Sequence, residues 1–335
     1  MERPPQTLAE VGYELPAAAI AQTPLARRDE ARLLVDHDNE ILHRRVHELP
    51  ELLSEGDLVV VNNTRVLPAR IRLRRSSGGA VEVLLLEQLD ERRWEALVRP
   101  SRRLEAGSVV ANAAMSVVIG EDLGEGRRIV VPEVGDRRLL DVLDDVGLPP
   151  LPPYIERQIA DPERYQTVYG QRPVSAAAPT AGLHLTESVL SGLRAKGAKV
   201  ATVELAVGLD TFRPITAERL DDHRMHSEWY SIPESTQRLV RGADRVVAIG
   251  TTVVRALETW GRGGPPEGRS SLFIRRPFEW SLVDLLMTNF HLPASTLLCM
   301  IDAFVGPRWR ELYAEALAQN YRFLSFGDAM LCERR

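Results

Sequence analysis

The stretch DRVVAIGTTVVRALETW, residues 244–260, joins two periodicities across one glycine. Val246 to Ile249 form a short continuous apolar run, the mark of a buried strand. Beyond Gly250, TTVVRALETW spaces its apolar residues as a helix does. Strand, glycine turn and helix make one half of a parallel α/β unit. The pattern recurs outward in both directions. TESVLSGLRAKG (186–197) reads as an amphipathic helix with Thr186 as N-cap and Gly197 as its stop, and KVATVELAVG (199–208) as a buried strand. SLFIRR (271–276) and LVDLLMTNF (282–290) read as further strands, and PASTLLCMIDAFVG as a helix starting at Pro293.

Near the N-terminus, LLVDH and EILHRRVHEL are strand-like around an Asp38-Asn39 turn. GDLVVVNNTRVLPARIRLR (56–74) is an apolar strand, a polar break at Asn62-Asn63-Thr64, then alternating apolar and Arg residues. From about Arg70 the pattern changes to short β segments punctuated by Gly: AVEVLLLEQ, RWEALVRP, GSVVANAAMSVVIGE and GRRIVVPE. These read as a small barrel. Its recurring arginines, Arg70, Arg72, Arg74, Arg75, Arg99, Arg102, Arg103, Arg127 and Arg128, read as a solvated surface. The Pro-rich hinge GLPPLPPYI returns the chain to α/β alternation. The expected fold is therefore a discontinuous α/β domain, residues 1–69 and 150–335, with an inserted small β-barrel domain at 70–149.

Composition narrows the function classes. With 335 residues, 44% hydrophobic and 27% charged, and a net charge of −5, the chain is an ordinary globular protein. That balance argues against a strong non-specific nucleic-acid binder and leaves a local basic face open. Cys299 and Cys332 have no CxxC spacing, so a reducing cytoplasm fits better than a disulfide framework. MERPPQTLAEVGYELP offers no apolar core for a secretory signal. LLMTNFHLPASTLLCMIDAF (285–304) is apolar enough for a membrane span, but Asn289, His291, Pro293 and Asp302 make spanning costly, so it reads as soluble core. There is no G-x-G-x-x-G, no G-x-x-x-x-G-K-[ST] and no G-x-S-x-G.

The polar interruptions mark candidate site residues. Asn289 and His291 fall just past an apolar strand, where open α/β folds bind ligands. Thr251 and Thr252 open a helix after Gly250, where free N–H groups suit a carboxylate or phosphate, or where a threonine simply caps. SAAAPTAGLHLTESVL (175–190) sets Thr180, Gly182 and His184 in a small-residue loop that suits close packing or a ligand. GLDTFRPITAERLDDHRMHSEWYSI (208–232) holds Arg213, His223, His226 and Glu228. Arg213 suits a bidentate clamp on an oxyanion or a pair with a neighbouring acid. The histidines and Glu228 lack the H-E-x-x-H spacing, so no metal is expected.

Taken together, APTAGLH, VGLDTFRPI, MHSEWY, VVAIGTTVVRALE, TNFHLPASTLL and YRFLSFGDAML resemble the S-adenosylmethionine:tRNA ribosyltransferase-isomerase family, in the family's order. YELPAAAIAQTP, GDLVVVNNTRVLPARI, AVEVLLLE, LPPYI and DPERYQTVYG extend the resemblance from Tyr13 to Leu331. The resemblance implies a monomeric, metal-free cytoplasmic enzyme of queuosine biosynthesis. It would transfer and isomerise the ribosyl part of S-adenosylmethionine, used as co-substrate, onto 7-aminomethyl-7-deazaguanine at the tRNA wobble position. Epoxyqueuosine-tRNA, adenine and methionine would result, and the partner would be the tRNA anticodon loop.

The implied chemistry begins with proton removal at ribose C5′ beside the sulfonium and continues with loss of adenine, which requires a base and a proton donor. His184, His226 and His291 are then the catalytic candidates, with His184 or His226 as the base. Thr180, Gly182, Arg213, Glu228, Thr251, Thr252, Arg255 and Asn289 are the substrate-binding candidates. Trp229, Tyr230 or Phe278 would stack on a splayed base. The chain departs from the family pattern at Ala206 (usually His), Asp210 (usually Gly), Asn63 (usually Asp) and Arg276–Phe278. These departures leave open a diverged enzyme with another acceptor, or an RNA-binding protein without catalysis.

Overall fold

The computed structural model describes residues 7–102, 104–208 and 214–335. The chain divides into two compact units, Met1–Thr64 with Pro152–Arg172 and Ala178–Arg335, and Arg65–Leu151 with Pro173–Ala177.

The first unit is built on a nine-stranded mixed sheet. In chain order its strands are β1 (Arg32–His37), β2 (Glu40–Arg45), β3 (Asp57–Asn62), β12 (Lys199–Leu205), β13 (Glu228–Ser231), β14 (Arg245–Ile249), β15 (Glu267–Ser270), β16 (Leu285–Asn289) and β17 (Ala329–Glu333). They lie side by side as β15-β13-β12-β3-β14-β16-β17-β1-β2. The central run β12, β3, β14 and β16 is parallel throughout. β3 and β16 are buried at every position, as strands covered on both faces must be. β12 instead alternates buried and half-buried residues, which corrects the expectation of a wholly buried strand.

Helices α1 (Leu49–Leu52), α3 (Glu187–Ala195), α4 (Glu234–Arg241), α5 (Thr251–Gly261), α6 (Thr296–Val305) and α7 (Trp309–Ala318) belong to this unit. Leu33, Val59, Val61, Leu190, Leu193, Val247, Ile249 and Met287 belong to one core cluster. Thr186 caps α3 by accepting from Val189 N, and Gly197 follows at φ +87°, as expected for that helix. At the opposite end of the parallel run, Asp57 takes both Nε and Nη2 of Arg245 at 2.7 Å, locking the starts of β3 and β14. No described helix is long and apolar enough to cross a membrane.

Two readings of the sequence are corrected. α6 starts at Thr296 and not at Pro293, because Ala294 turns through φ +55° and Ser295 caps the helix by accepting from Leu298 N. SLFIRR forms no strand. The ladder with β13 is taken by Glu267–Ser270, and the following residues instead bury Ile274 and send Arg275 to Asp221 and Arg276 to Asp302.

The second unit is a closed barrel in the order β10-β7-β6-β5-β8-β9. Its strands are β5 (Arg70–Arg75), β6 (Ala80–Gln88), β7 (Trp94–Arg99), β8 (Val109–Ala111), β9 (Ser116–Gly124) and β10 (Arg127–Glu133), followed by α2 (Leu139–Val146). Ile71, Val83, Ala96, Val117 and Val130 are buried within it. Arg128, expected on the surface, is buried, and its guanidinium donates to the carbonyls of Ser101, Gly120 and Leu104. β4 (Thr64–Val66) and β11 (Arg172–Ser175) pair as a separate two-stranded sheet.

Candidate active site

A cleft opens at the carboxyl ends of the central parallel strands. Val207 follows β12, Gly250 ends β14, and Thr288 and Asn289 end β16, so the site occupies the position open α/β sheets offer to ligands. Of the residues singled out in the sequence, Thr180, Thr251, Thr252, Asn289 and His291 line it together.

Gly250 holds φ +95°, which an L side chain rarely adopts, and no side chain caps α5. The chain therefore turns sharply from β14, and Thr251 and Thr252 at the uncapped start of α5 line the cleft. Thr252 Oγ1 accepts from Asn62 Nδ2 at 3.4 Å. Asn62 also accepts from Thr64 Oγ1 at 3.1 Å and from Leu205 N at 3.2 Å, tying the ends of β3 and β12 beneath the site.

The amide of Asn289 is spent on the protein. Thr180 Oγ1 donates to its Oδ1 at 2.9 Å, while Nδ2 donates to the carbonyls of Leu324 and Asp328. Asn289 thus aims Thr180 and anchors the loop before β17. His291 is fixed through its backbone: Tyr313 Oη accepts from its N–H and Tyr13 Oη donates to its carbonyl. Its Nε2 lies 3.1 Å from Thr288 Oγ1. Burial pushes the imidazole down to about 3, so it stands neutral in the cleft. Among the described residues, none that lines the cleft is an Asp, Glu, Lys or Arg.

The remaining candidates stand elsewhere. His184 is buried, with Nδ1 3.1 Å from Ala181 O and Nε2 3.0 Å from Gly327 O. Neither ring nitrogen offers a lone pair to a substrate, and the residue lines a second cavity and not the cleft. Burial lowers its pKa despite these two carbonyls, which favour the protonated ring, so the geometry does not favour His184 as the base. His226, whose carbonyl accepts from Arg255 Nη2, is not in the cleft wall. Glu228 and Arg255 are each other's partners in a buried ion pair; Glu228 also accepts from Gly208 N, and Arg255 donates to Ser270 O. A carboxylate so engaged is poorly placed to bind substrate or metal. The missing Cβ of Gly182 makes room for the Tyr169 hydroxyl, so its smallness serves packing. Arg213 and Asp210 lie outside the described residues.

Among the aromatic candidates, Tyr230 is fully buried and donates to Pro265 O, which removes it as a stacking platform. Trp229 lies under Arg172, and Phe278 meets Trp280 edge-on. One of the family departures acquires a local explanation through its side chain. Arg276 reaches the buried Asp302, which also accepts from Trp309 Nε1. Ala206 donates its N–H to Trp229 O, next to the β12–β13 pairing. Asn63 is buried with no partner for Oδ1.

Sequence reasoning missed the opposite wall, where Tyr154 Oη and Ser325 Oγ lie 2.7 Å apart. Both fall in motifs that carry the resemblance, LPPYI and YRFLSFGDAML, but no periodicity singles them out.

Comparison with known proteins shows the family. A family model described as "Queuosine biosynthesis protein" matches residues 8–332. The chain is 50% identical to S-adenosylmethionine:tRNA ribosyltransferase-isomerase of Rubrobacter xylanophilus, covering 96% of each chain. It is 45% identical to the protein of the same name from Thermotoga maritima, covering 97% of this chain and 99% of that one. The crystal structure of S-adenosylmethionine tRNA ribosyltransferase from Thermotoga maritima superposes with a TM-score of 0.55 at 37% identity, covering 96% of this chain and 99% of the other. On its matched length and on this identity, the chain belongs to the queuosine biosynthesis protein family.

Proposed function

We propose that this chain is an S-adenosylmethionine:tRNA ribosyltransferase-isomerase. It transfers and isomerises the ribosyl moiety of S-adenosylmethionine onto 7-aminomethyl-7-deazaguanine at the tRNA wobble position, giving epoxyqueuosine-tRNA, adenine and methionine. The observation that carries this reading is the cleft at the strand ends, lined among the described residues by hydroxyls, an amide and an imidazole without ionised side chains, in a chain of this family. A sulfonium is a cation, and a neutral, largely apolar wall admits it where Lys or Arg would repel it.

In this reading the methionyl carboxylate meets the open N–H groups of α5 with Thr251 and Thr252, since a helix N-terminus favours an anion. Thr180, held by Asn289, and the neutral His291 hydrogen-bond the nucleoside. His291 serves as a hydrogen-bonding group, because an imidazole pushed down to about 3 is a weak proton acceptor. The partner is the tRNA anticodon loop, whose wobble base is single-stranded, and the enzyme acts as a cytoplasmic monomer without a metal.

The test is mass spectrometry of the purified protein with S-adenosylmethionine and an anticodon stem-loop carrying the aminomethyl base. Adenine, methionine and the modified loop should appear together. Adenine released equally well without RNA would instead indicate a small-molecule acceptor. RNA binding with no adenine released would indicate a binding protein.

A further inference from the structure

A second cavity of the α/β unit is lined by Arg28, Arg164, Arg322 and His184 and, among the described residues, by no acidic one. The three arginines come from separate segments: the 3-10 turn Arg28–Glu30, the 3-10 turn Pro162–Tyr165 and the loop before β17. Each guanidinium is held by backbone carbonyls. Arg28 donates to Gln166 O and Glu163 O, Arg164 to Leu25 O and Ala26 O, and Arg322 to Thr23 O and Phe326 O. None of the three forms an ion pair with a carboxylate among the described residues, although the chain carries net negative charge.

This arrangement is costly unless something offsets it. Three half-buried guanidinium groups share one cavity with walls of Leu25, Leu183 and Phe326. Burial lowers the pKa of both Arg28 and Arg322, and Arg164 lowers that of Arg28 further. Asp161 and Glu163 act on Arg28 and Asp328 on Arg322 only from a distance, and like charges kept together, oriented by carbonyls and without a paired carboxylate are the composition of an oxyanion receptor. Each Nη can spend one N–H on a carbonyl and still keep another for a ligand, and each Nε–H is also unspent.

We infer that this cavity binds a phosphate group of the tRNA substrate, with Arg28, Arg164 and Arg322 as its ligands. The inference rests on the proposed tRNA reaction for the identity of the phosphate's owner. A cationic sulfonium would be repelled here, which separates this site from the cleft, although Ser325 lines both.

The experiment has two arms. In the first, stem-loop RNA affinity is measured against salt for the wild type, Arg164→Gln and Arg164→Lys, with S-adenosylmethionine affinity measured alongside. Arg164→Gln should weaken RNA binding about tenfold at about 0.1 M salt and flatten the log–log salt slope by about one phosphate contact, about 0.7 for single-stranded RNA. Arg164→Lys should recover part of the loss, and S-adenosylmethionine affinity should not change. The second arm needs no variant. Phenylglyoxal modification of the wild type is followed by mass spectrometry with RNA, with inorganic phosphate or with S-adenosylmethionine. RNA should slow modification of Arg28, Arg164 and Arg322 several-fold, phosphate should do so only at far higher concentration, and S-adenosylmethionine should not.

Unchanged RNA affinity in a folded Arg164→Gln, or protection by S-adenosylmethionine alone, overturns the assignment. Protection by inorganic phosphate but not by RNA also overturns it, since the site would then serve a free anion. These readouts are independent of turnover, so a wild type that binds RNA at the arginines yet releases no adenine refutes the proposed reaction and not this site.

Discussion

The cleft beside Asn289 and the cavity beside Arg164 both take Ser325 into their walls, yet they treat charge in opposite ways. Among the described residues, the cleft confines its polarity to hydroxyls, an amide and an imidazole kept neutral by burial. The cavity gathers three guanidinium groups with no acid among its described lining residues. A protein that handles a cationic sulfonium and a polyanionic RNA needs both, and needs them apart. The segment 322–328 separates them while serving both: Asn289 grips it through Leu324 and Asp328, and His184 meets Gly327 O from the other cavity. The contrast teaches that position along the sheet makes a site, and that the sign of its lining selects the ligand.

A third arrangement, charge buried but paired, sets the upper bound for what charge can do inside this fold. Glu228 and Arg255 are 6% and 3% exposed. Arg255→Ala leaves Glu228 buried and uncompensated, and should cost about 3–5 kcal/mol in urea unfolding. A loss under about 1 kcal/mol would show that water reaches the pair. Placing a cation in the neutral cleft comes next. Thr180→Lys should lower kcat/KM for S-adenosylmethionine by about 100-fold or more, as a like charge close to the sulfonium requires, while RNA affinity holds. Steady-state adenine release and RNA titration check the two halves separately.

The neutrality of the cleft has a pH signature. The unfolded imidazole of His291 takes a proton below its ordinary 6.5, whereas the folded one resists until about 3. Stability from this group is therefore fully present above pH 6.5 and is lost as pH falls, at about 1.4 kcal/mol per unit, or about 2 kcal/mol by pH 5. Unfolding of the wild type and His291→Gln across that window should show a shallower acid slope in the variant. His184, also lowered by burial, keeps a slope of the same sign in both proteins. The smallest effect belongs to exposed charge. Glu234→Ala, which breaks an i,i+4 pair with Arg238 at the surface of α4, should shift stability by less than about 0.5 kcal/mol in the same assay.

The strand–glycine–helix pattern at residues 244–260 made the sheet legible, and the short β segments after Arg70 made the barrel legible, because both follow from local periodicity. The polar residues at strand ends led to Thr251, Thr252, Asn289 and His291 for the same reason. What stayed hidden depends on partners distant in the chain. A histidine beside a glycine turn does not disclose that both nitrogens of His184 meet carbonyls, one of them at Gly327. Glu228 and Arg255 looked like separate ligand groups, yet each is the other's counter-charge. Arg28, Arg164 and Arg322 resemble ordinary surface arginines until the fold assembles them. SLFIRR misled because apolar content alone does not supply a neighbouring strand to pair with.

The most direct test of two cavities with opposite roles is a crystal structure of the protein with S-adenosylmethionine. The account predicts density for the nucleoside in the cleft against Thr180, Thr252 and His291, with the carboxylate at the start of α5 and the arginine cavity free of it. Density for S-adenosylmethionine between Arg28, Arg164 and Arg322, with the cleft empty, would contradict it.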